Sequence, residues 1–194
     1  MARRPLAVAI TGGIAAGKSE ALAAFRRRGA ETASSDDIVH SLYRNDEELK
    51  EQLRARWGGR VFTADGEVDR AAVGRIVFAD RAELDWLEQQ LHPRTGEVYR
   101  TWIAALRALD DPPDLVVVEV PLLYETGGER RFDKVVVITA PADLRESRRG
   151  AFADREARLV PEEEKLRRAD FAFVNDGSLE ALDAFVAGVI EELA

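Results

Sequence analysis

Cysteine is absent from this chain of 194 residues, and histidine occurs only twice, at His40 and His92. The first absence removes disulfide frameworks, thiolate metal sites and cysteine nucleophiles, and it fits a reducing, cytoplasmic setting. The second argues against a histidine-rich zinc centre. No apolar run approaches the roughly 20 residues needed to cross a bilayer, so no membrane partner is expected. Basic charge is also in deficit: 28 Lys and Arg stand against 36 Asp and Glu, a formal net charge of −8. General nucleic-acid binding relies on neutralising phosphates, so no nucleic-acid partner is expected either. The opening MARRPLAVAITGG pairs two arginines with a short apolar stretch, as a secretory leader does. Glycines stand where the small-residue cleavage site belongs, and the stretch reads better as a first strand.

What is present is the balance of a folded globule, 46% apolar and 33% charged. The length corresponds to about one domain with something added. Leu6 to Thr11, Leu115 to Val120 and Val135 to Thr139 are unbroken Val- and Ile-rich runs, as expected where both faces of a parallel sheet are covered. Ala30 to Ser34 and Phe171 to Val174 are weaker strand candidates. Lys18 to Arg28 reads as a helix closed by Gly29, and Ser178 caps a last helix with an apolar stripe from Leu179 to Leu193. Strand and helix alternate, which argues for an α/β fold. Two stretches interrupt the alternation. Residues 38–112 read almost wholly helical (Glu47 to Trp57, Arg70 to Phe78, Arg81 to Leu91, then Arg94 to Leu109 after Pro93). Residues 142–168 are charged, arginine-rich and helical. The expected organisation is one domain over 1–194, with its core in 1–37, 113–141 and 169–194, a helical lobe at 38–112 and a lid at 142–168.

TGGIAAGKS, Thr11 to Ser19, fits G-x-x-x-x-G-K-[ST] through Gly12, Gly17, Lys18 and Ser19. It stands directly after a buried strand and opens a helix, where a phosphate-binding loop must stand. Successive backbone N–H groups have to point inward around a polyphosphate, which demands glycine wherever a side chain would collide or φ is positive. The helix N-terminus adds partial positive charge. Gly12, Gly13, Ile14, Ala15, Ala16, Gly17, Lys18, Ser19 and Glu20 are therefore the expected ATP-binding residues, with Lys18 reaching the β- and γ-phosphates and Ser19 a ligand of Mg²⁺.

A guanine-specific NKxD sequence is lacking, which turns the reading toward a small-molecule kinase. Such an enzyme needs a base near the acceptor hydroxyl, and Asp36 and Asp37 follow the second strand where parallel sheets place ligands. For Asp37 the alternative is a helix N-cap. Glu119, inside LVVVEVP, is costly in a buried strand unless it meets a cation, and Mg²⁺ is the expected one; a structural hydrogen bond is the alternative. Arg145, Arg148, Arg149, Arg155 and Arg158 populate the second interruption as candidate lid arginines. On these residues alone, a kinase for another small acceptor and a nucleotide-dependent switch protein also stay open.

Beyond the loop, the chain carries SSDDIVH (Ser34 to His40), DRAAVGRIVF (Asp69 to Phe78), LHP (Leu91 to Pro93), VPLLYE (Val120 to Glu125) and KLRRADFAFVNDGSLEAL (Lys165 to Leu182). In that order, and along nearly the whole chain, this series resembles the dephospho-coenzyme A kinase family. The resemblance implies a P-loop kinase three-layer fold with a five-stranded parallel sheet, a helical substrate lobe and a helical, arginine-bearing lid. It implies ATP- and Mg²⁺-dependent phosphorylation of the ribose 3′-hydroxyl of dephospho-coenzyme A, the last step of coenzyme A synthesis. By the same resemblance Asp36 and Lys18 are catalytic. Asp36, His92, Pro121, Leu122, Leu123 and Arg155 bind the acceptor, while Arg149 and Asn175 join the ATP site. An Asx turn is the alternative for Asn175, and a packing or capping role for His92. The expected assembly is a monomer or a weak homo-oligomer. Four departures stand out: Ser34 where the family often has a first aspartate, Glu20 where threonine is common, Leu159 in place of a frequent glutamine, and Ala15-Ala16 where glycine and serine are usual.

Overall fold

The computed structural model describes residues 5–149 and 159–194, with the side chains of Arg148 and Arg149 outside that description. Arg155 and Arg158 lie outside it as well, so the expected roles of Arg149 and Arg155 fall beyond the described residues. Five strands, β1 (Leu6–Gly12), β2 (Glu31–Ser34), β3 (Leu115–Glu119), β4 (Lys134–Thr139) and β5 (Phe171–Val174), form one sheet. Their order is β2-β3-β1-β4-β5, and every neighbouring pair is parallel. The hydrophobic runs grade with position in the sheet. β3, β1 and β4, the unbroken runs, are the buried central strands, whereas β2 and β5 are half-exposed edges. Continuous apolar sequence therefore marks burial on both faces, and its weakening marks an edge.

Helix α1 (Lys18–Arg27) follows β1 and ends before Gly29, whose φ of 90° belongs to a left-handed C-terminal cap. It packs Ala21, Leu22, Ala24 and Phe25 into the main core with Val8 and Ile10 of β1 and Val136 and Ile138 of β4. Burial of a side chain such as Phe25 contributes about 1.5–3 kcal/mol. The last helix runs over Leu179–Leu193 and adds Leu182, Val186 and Val189 to the same core. Ser178 caps it by accepting the Ala181 N–H. Leu179, expected in its apolar stripe, is 62% exposed, because it occupies the first turn beside the cap.

The chain divides into two compact units, Met1–Ser34 with Arg100–Ala194, and Ser35–Tyr99. The second is built from α2 (Ser35–Asn45), α3 (Glu47–Trp57), α4 (Arg70–Ala79) and most of α5 (Arg81–Arg107), with one isolated bridge between Phe62 and Val68. Asp46 and Asp69 cap α3 and α4 through their carboxylates. Two helices meeting at Pro93 are expected from the sequence, but α5 runs straight through it. Proline lacks the N–H that would reach the carbonyl four residues back. Just past it, Arg94 donates from Nη1 to the Gln90 carbonyl at 3.0 Å, and its guanidinium also pairs with Asp46 at 3.1 Å and Glu48 at 3.1 Å. Those contacts hold the helix to its neighbours next to the position where the proline removes one of its own bonds.

In the sheet unit, the second interruption contains α6 (Ala142–Arg149) and α7 (Glu162–Arg168); the last helix is accordingly α8. Beyond α7, Asp170 accepts the Val135 N–H at 2.8 Å and pairs with Lys134 at 2.8 Å. The aspartate of the ADF sequence thereby sets where β4 begins beside β5.

Candidate active site

The site grows out of the C-terminal end of β1. Gly12 has φ of 141°, and a Cβ there would lie 1.8 Å from the Ile138 carbonyl oxygen, so β4 stands directly behind the loop. Only glycine fits. Gly17 has φ of 100°, and a Cβ on it would lie 2.3 Å from Nδ2 of Asn175. Between them Ala15, at φ 58°, holds the left-handed conformation that an L side chain adopts only with strain, of about 1 kcal/mol. Alanine in place of the glycine usual in the family thus carries a conformational cost at this loop.

Lys18 opens α1 and turns back over the loop, donating from Nζ to the Gly13 carbonyl at 2.8 Å and to the Gly12 carbonyl at 3.5 Å. Ser19 follows, its hydroxyl donating to Glu119 at 3.2 Å from Oε2 and 3.4 Å from Oε1. Glu119 ends β3 in register with Ile10 and Ser34, and only 7% of it is exposed. A buried carboxylate and a hydroxyl at the mouth of the loop are hard oxygen donors of the kind Mg²⁺ takes. Among the described residues no group of three or more His, Cys, Asp or Glu gathers as a metal cage. Mg²⁺ in phosphoryl-transfer sites needs none, because substrate phosphates and water complete its shell. The donor set fits that ion. Glu20 is exposed in the first turn of α1, away from the loop's buried wall.

Asn175 is 5% exposed and serves the loop backbone. Its Nδ2 donates to the Ala16 carbonyl at 2.8 Å, while Oδ1 accepts the Gly177 N–H at 3.0 Å. The Asx turn that stood as the alternative for Asn175 is present, and the same side chain braces the phosphate loop from the β5 side. Behind Gly13 lies a cavity of about 220 Å³ bordered by Gly13, Arg145, Leu159, Val160, Pro161, Glu162 and Lys165. Arg145 is only 7% exposed and donates from Nε to the Ala140 carbonyl at 2.9 Å. Arg145, one of the candidate lid arginines, is thus buried beside Gly13, where an arginine in a charged stretch would more often lie in solvent.

After β3, Thr11 donates its hydroxyl to the Pro121 carbonyl at 3.2 Å. Pro121 and Leu122 are half-buried, whereas Leu123 is fully buried and belongs to the core. In the helical unit, Asp36 and Asp37 both sit exposed in the first turn of α2, which begins at Ser35. Asp37 is therefore inside the helix and is not the cap of a segment starting at Ile38. His92 is half-buried in α5; burial pulls its pKa below the ordinary histidine value, and Glu88 opposes part of that. The neutral imidazole is the favoured form.

A parallel sheet ordered β2-β3-β1-β4-β5, with a glycine-bounded loop, lysine and serine between its central strand and α1, defines a P-loop kinase. The family model for dephospho-CoA kinase matches residues 6–181. The dephospho-CoA kinase of Mesorhizobium japonicum is 37% identical over 196 residues, covering 97% of this chain and 96% of its own length. A crystal structure from Thermus thermophilus superposes with a TM-score of 0.77 at 32% identity, over 98% of this chain and 99% of that one. The dephospho-CoA kinase of Campylobacter jejuni gives a TM-score of 0.69 at 28% identity, over 98% of each chain. The chain belongs to the dephospho-CoA kinase family.

Proposed function

We propose that this chain transfers the terminal phosphoryl group of ATP to the ribose 3′-hydroxyl of dephospho-coenzyme A. The observation that carries the reading is the loop bounded by Gly12 and Gly17, backed by the Ile138 carbonyl and braced by Asn175, in a chain of this family. Its backbone N–H groups and the α1 N-terminus take the phosphates of ATP. On binding, the Lys18 ammonium exchanges the loop carbonyls for the phosphate oxygens and offsets the charge that grows on the bridging oxygen. Ser19, with Glu119 beside it, would hold Mg²⁺, which would supply charge neutralisation at the phosphates.

Asp36 orients the acceptor hydroxyl and takes its proton. The 3′-oxygen forms a bond to the γ-phosphorus as the bond from that phosphorus to the β–γ bridging oxygen breaks, leaving ADP. Pro121 and Leu122 offer apolar surface to the acceptor. His92, half-buried with burial pulling its pKa down, is the hydrogen-bonding group that the helical unit contributes to acceptor binding in this reading.

The test is a coupled assay of ADP release with dephospho-coenzyme A, checked by identifying the 3′-phosphorylated product. ADP release that depends on dephospho-coenzyme A, with that product, is the expected result. Turnover with a nucleoside monophosphate and none with dephospho-coenzyme A would transfer the chain to another kinase specificity. ATP binding without transfer to any small acceptor would favour the switch reading.

A further inference from the structure

Lys165 is 2% exposed, an uncommon position for a lysine, and lies outside the phosphate loop. Its Nζ is 2.7 Å from Oε1 of Glu125. The same oxygen accepts the Val160 N–H at 2.9 Å. One carboxylate oxygen therefore joins the segment after β3 to two points in and before α7. Both points, Val160 and Lys165, border the cavity that Gly13 also borders.

The other end of the segment is anchored just as tightly. Val120 donates its N–H to the Ile10 carbonyl at 2.8 Å, and Thr11 donates to the Pro121 carbonyl. The stretch from Pro121 to Glu125 is thus pinned to β1 at its start and to α7 at its finish. A second contact repeats the second anchor, with Arg168 of α7 lying over the Tyr124 ring at 4.2 Å and pairing with Glu129 at 2.5 Å. Beyond α7 the chain passes through β5 to Asn175, the brace of the phosphate loop.

We propose that Glu125 and Lys165 are positioning residues for the transfer: their buried ion pair fixes the acceptor segment Pro121–Leu122 against the chain that borders the phosphate loop. The proposal rests on the reading above that Pro121 and Leu122 serve the acceptor. Energetics favour position over stability as the pair's contribution. Oε2 of Glu125 is buried with no hydrogen-bond partner among the described residues. A buried ion pair with such a deficit gives little or negative net stability compared with an apolar pair of similar size. What the pair does supply is a fixed relation between the segment and α7, because the Lys165 ammonium and the Val160 N–H converge on one oxygen of Glu125.

The experiment uses the full chain and four variants: Glu125→Gln, the double variant Glu125→Gln/Lys165→Met, Glu125→Asp and Leu122→Ala. Thermal melting is recorded with KM for each substrate and kcat. Glu125→Gln leaves a buried charge uncompensated and melts well below the parent. The double variant removes both charges and recovers most of the melting temperature. Its KM for dephospho-coenzyme A nevertheless stays raised about tenfold, with KM for ATP within about twofold of the parent. Glu125→Asp keeps both charges but withdraws the carboxylate by one methylene; it melts near the parent and raises the same KM about threefold. Recovery of KM together with melting in the double variant, or an unchanged KM in Glu125→Asp, overturns the proposal. An equal rise in both KM values overturns it too. Leu122→Ala separates the two readings. If it leaves KM for dephospho-coenzyme A unchanged, the acceptor assignment of the segment fails and the proposal falls with it. If it raises that KM while the double variant is restored, only the role of the pair fails.

Discussion

The two compact units hold their chemical groups in place by different means. In the sheet unit the phosphate loop is shaped by contacts to backbone: the Ile138 carbonyl behind Gly12, the Asn175 amide on the Ala16 carbonyl, and Lys18 on the carbonyls of Gly12 and Gly13. In the helical unit, charged side chains on helices add ties to an apolar core that includes Leu49, Leu53 and Val73. Arg94 ties α5 to the cap of α3, and Glu83 accepts from Arg56 and from Trp57, the first of these doing most to hold its carboxyl below the ordinary range. Its catalytic candidates, Asp36 and Asp37, are exposed. Backbone-set geometry tolerates almost no change in side-chain volume, whereas a helix surface tolerates many changes that keep its charge pattern. The sheet unit should therefore fail by steric collision, and the helical unit by loss of a particular group.

Gly12→Ala is the sharpest break of that contrast. A Cβ 1.8 Å from the Ile138 oxygen, on a backbone at φ 141°, forces the loop away from β4. The expected cost is about 3 kcal/mol or more in stability, with nucleotide binding lost, measured by melting and titration. Asp36→Asn comes next and has the opposite signature. Turnover falls by about 10²–10⁴-fold while ATP still binds, because the group that accepts the hydroxyl proton is removed. Undiminished turnover removes Asp36 from the role of base.

Asn175→Ala tests whether the brace acts on the loop. One buried and one part-buried hydrogen bond are lost, for about 1–3 kcal/mol of stability, and ATP affinity falls about tenfold while KM for the acceptor stays put. The smallest effect is expected at His92. Its folded-state pKa lies below the unfolded one because of burial. The unfolded chain therefore binds more protons near pH 6.5, so this contribution is complete above that pH and is lost as pH falls. His92→Gln should shrink the drop in melting temperature between about pH 7 and about pH 5, and leave the neutral-pH value nearly unchanged.

Much of this was legible from residue order. The unbroken runs at Leu6, Leu115 and Val135 marked the central strands because a parallel sheet covered on both faces admits no polar alternation. TGGIAAGKS marked the loop because its glycines answer steric demands that are local to the turn. Pro93 misled, because the contacts that hold α5 beside it come from Arg94, whose partners Asp46 and Glu48 lie far back in the chain. Leu123, in an apolar triplet, looked like its two neighbours until its complete burial separated it from them. Nothing in the spacing joined Glu125 to Lys165, which are brought together by the return of the chain through α7.

Sequence alone determined the strand and helix alternation and the phosphate loop, since each rests on short-range steric and periodic requirements that neighbouring residues satisfy among themselves; the order of its motifs carried the resemblance to the family. Tertiary structure alone decided that Asn175 braces Ala16, that Arg145 is buried beside Gly13, and that Lys165 meets Glu125 out of water. Those contacts join residues from 40 to 159 positions apart, and their strength comes from desolvation, which exists only once the sheet and its helices have closed around them.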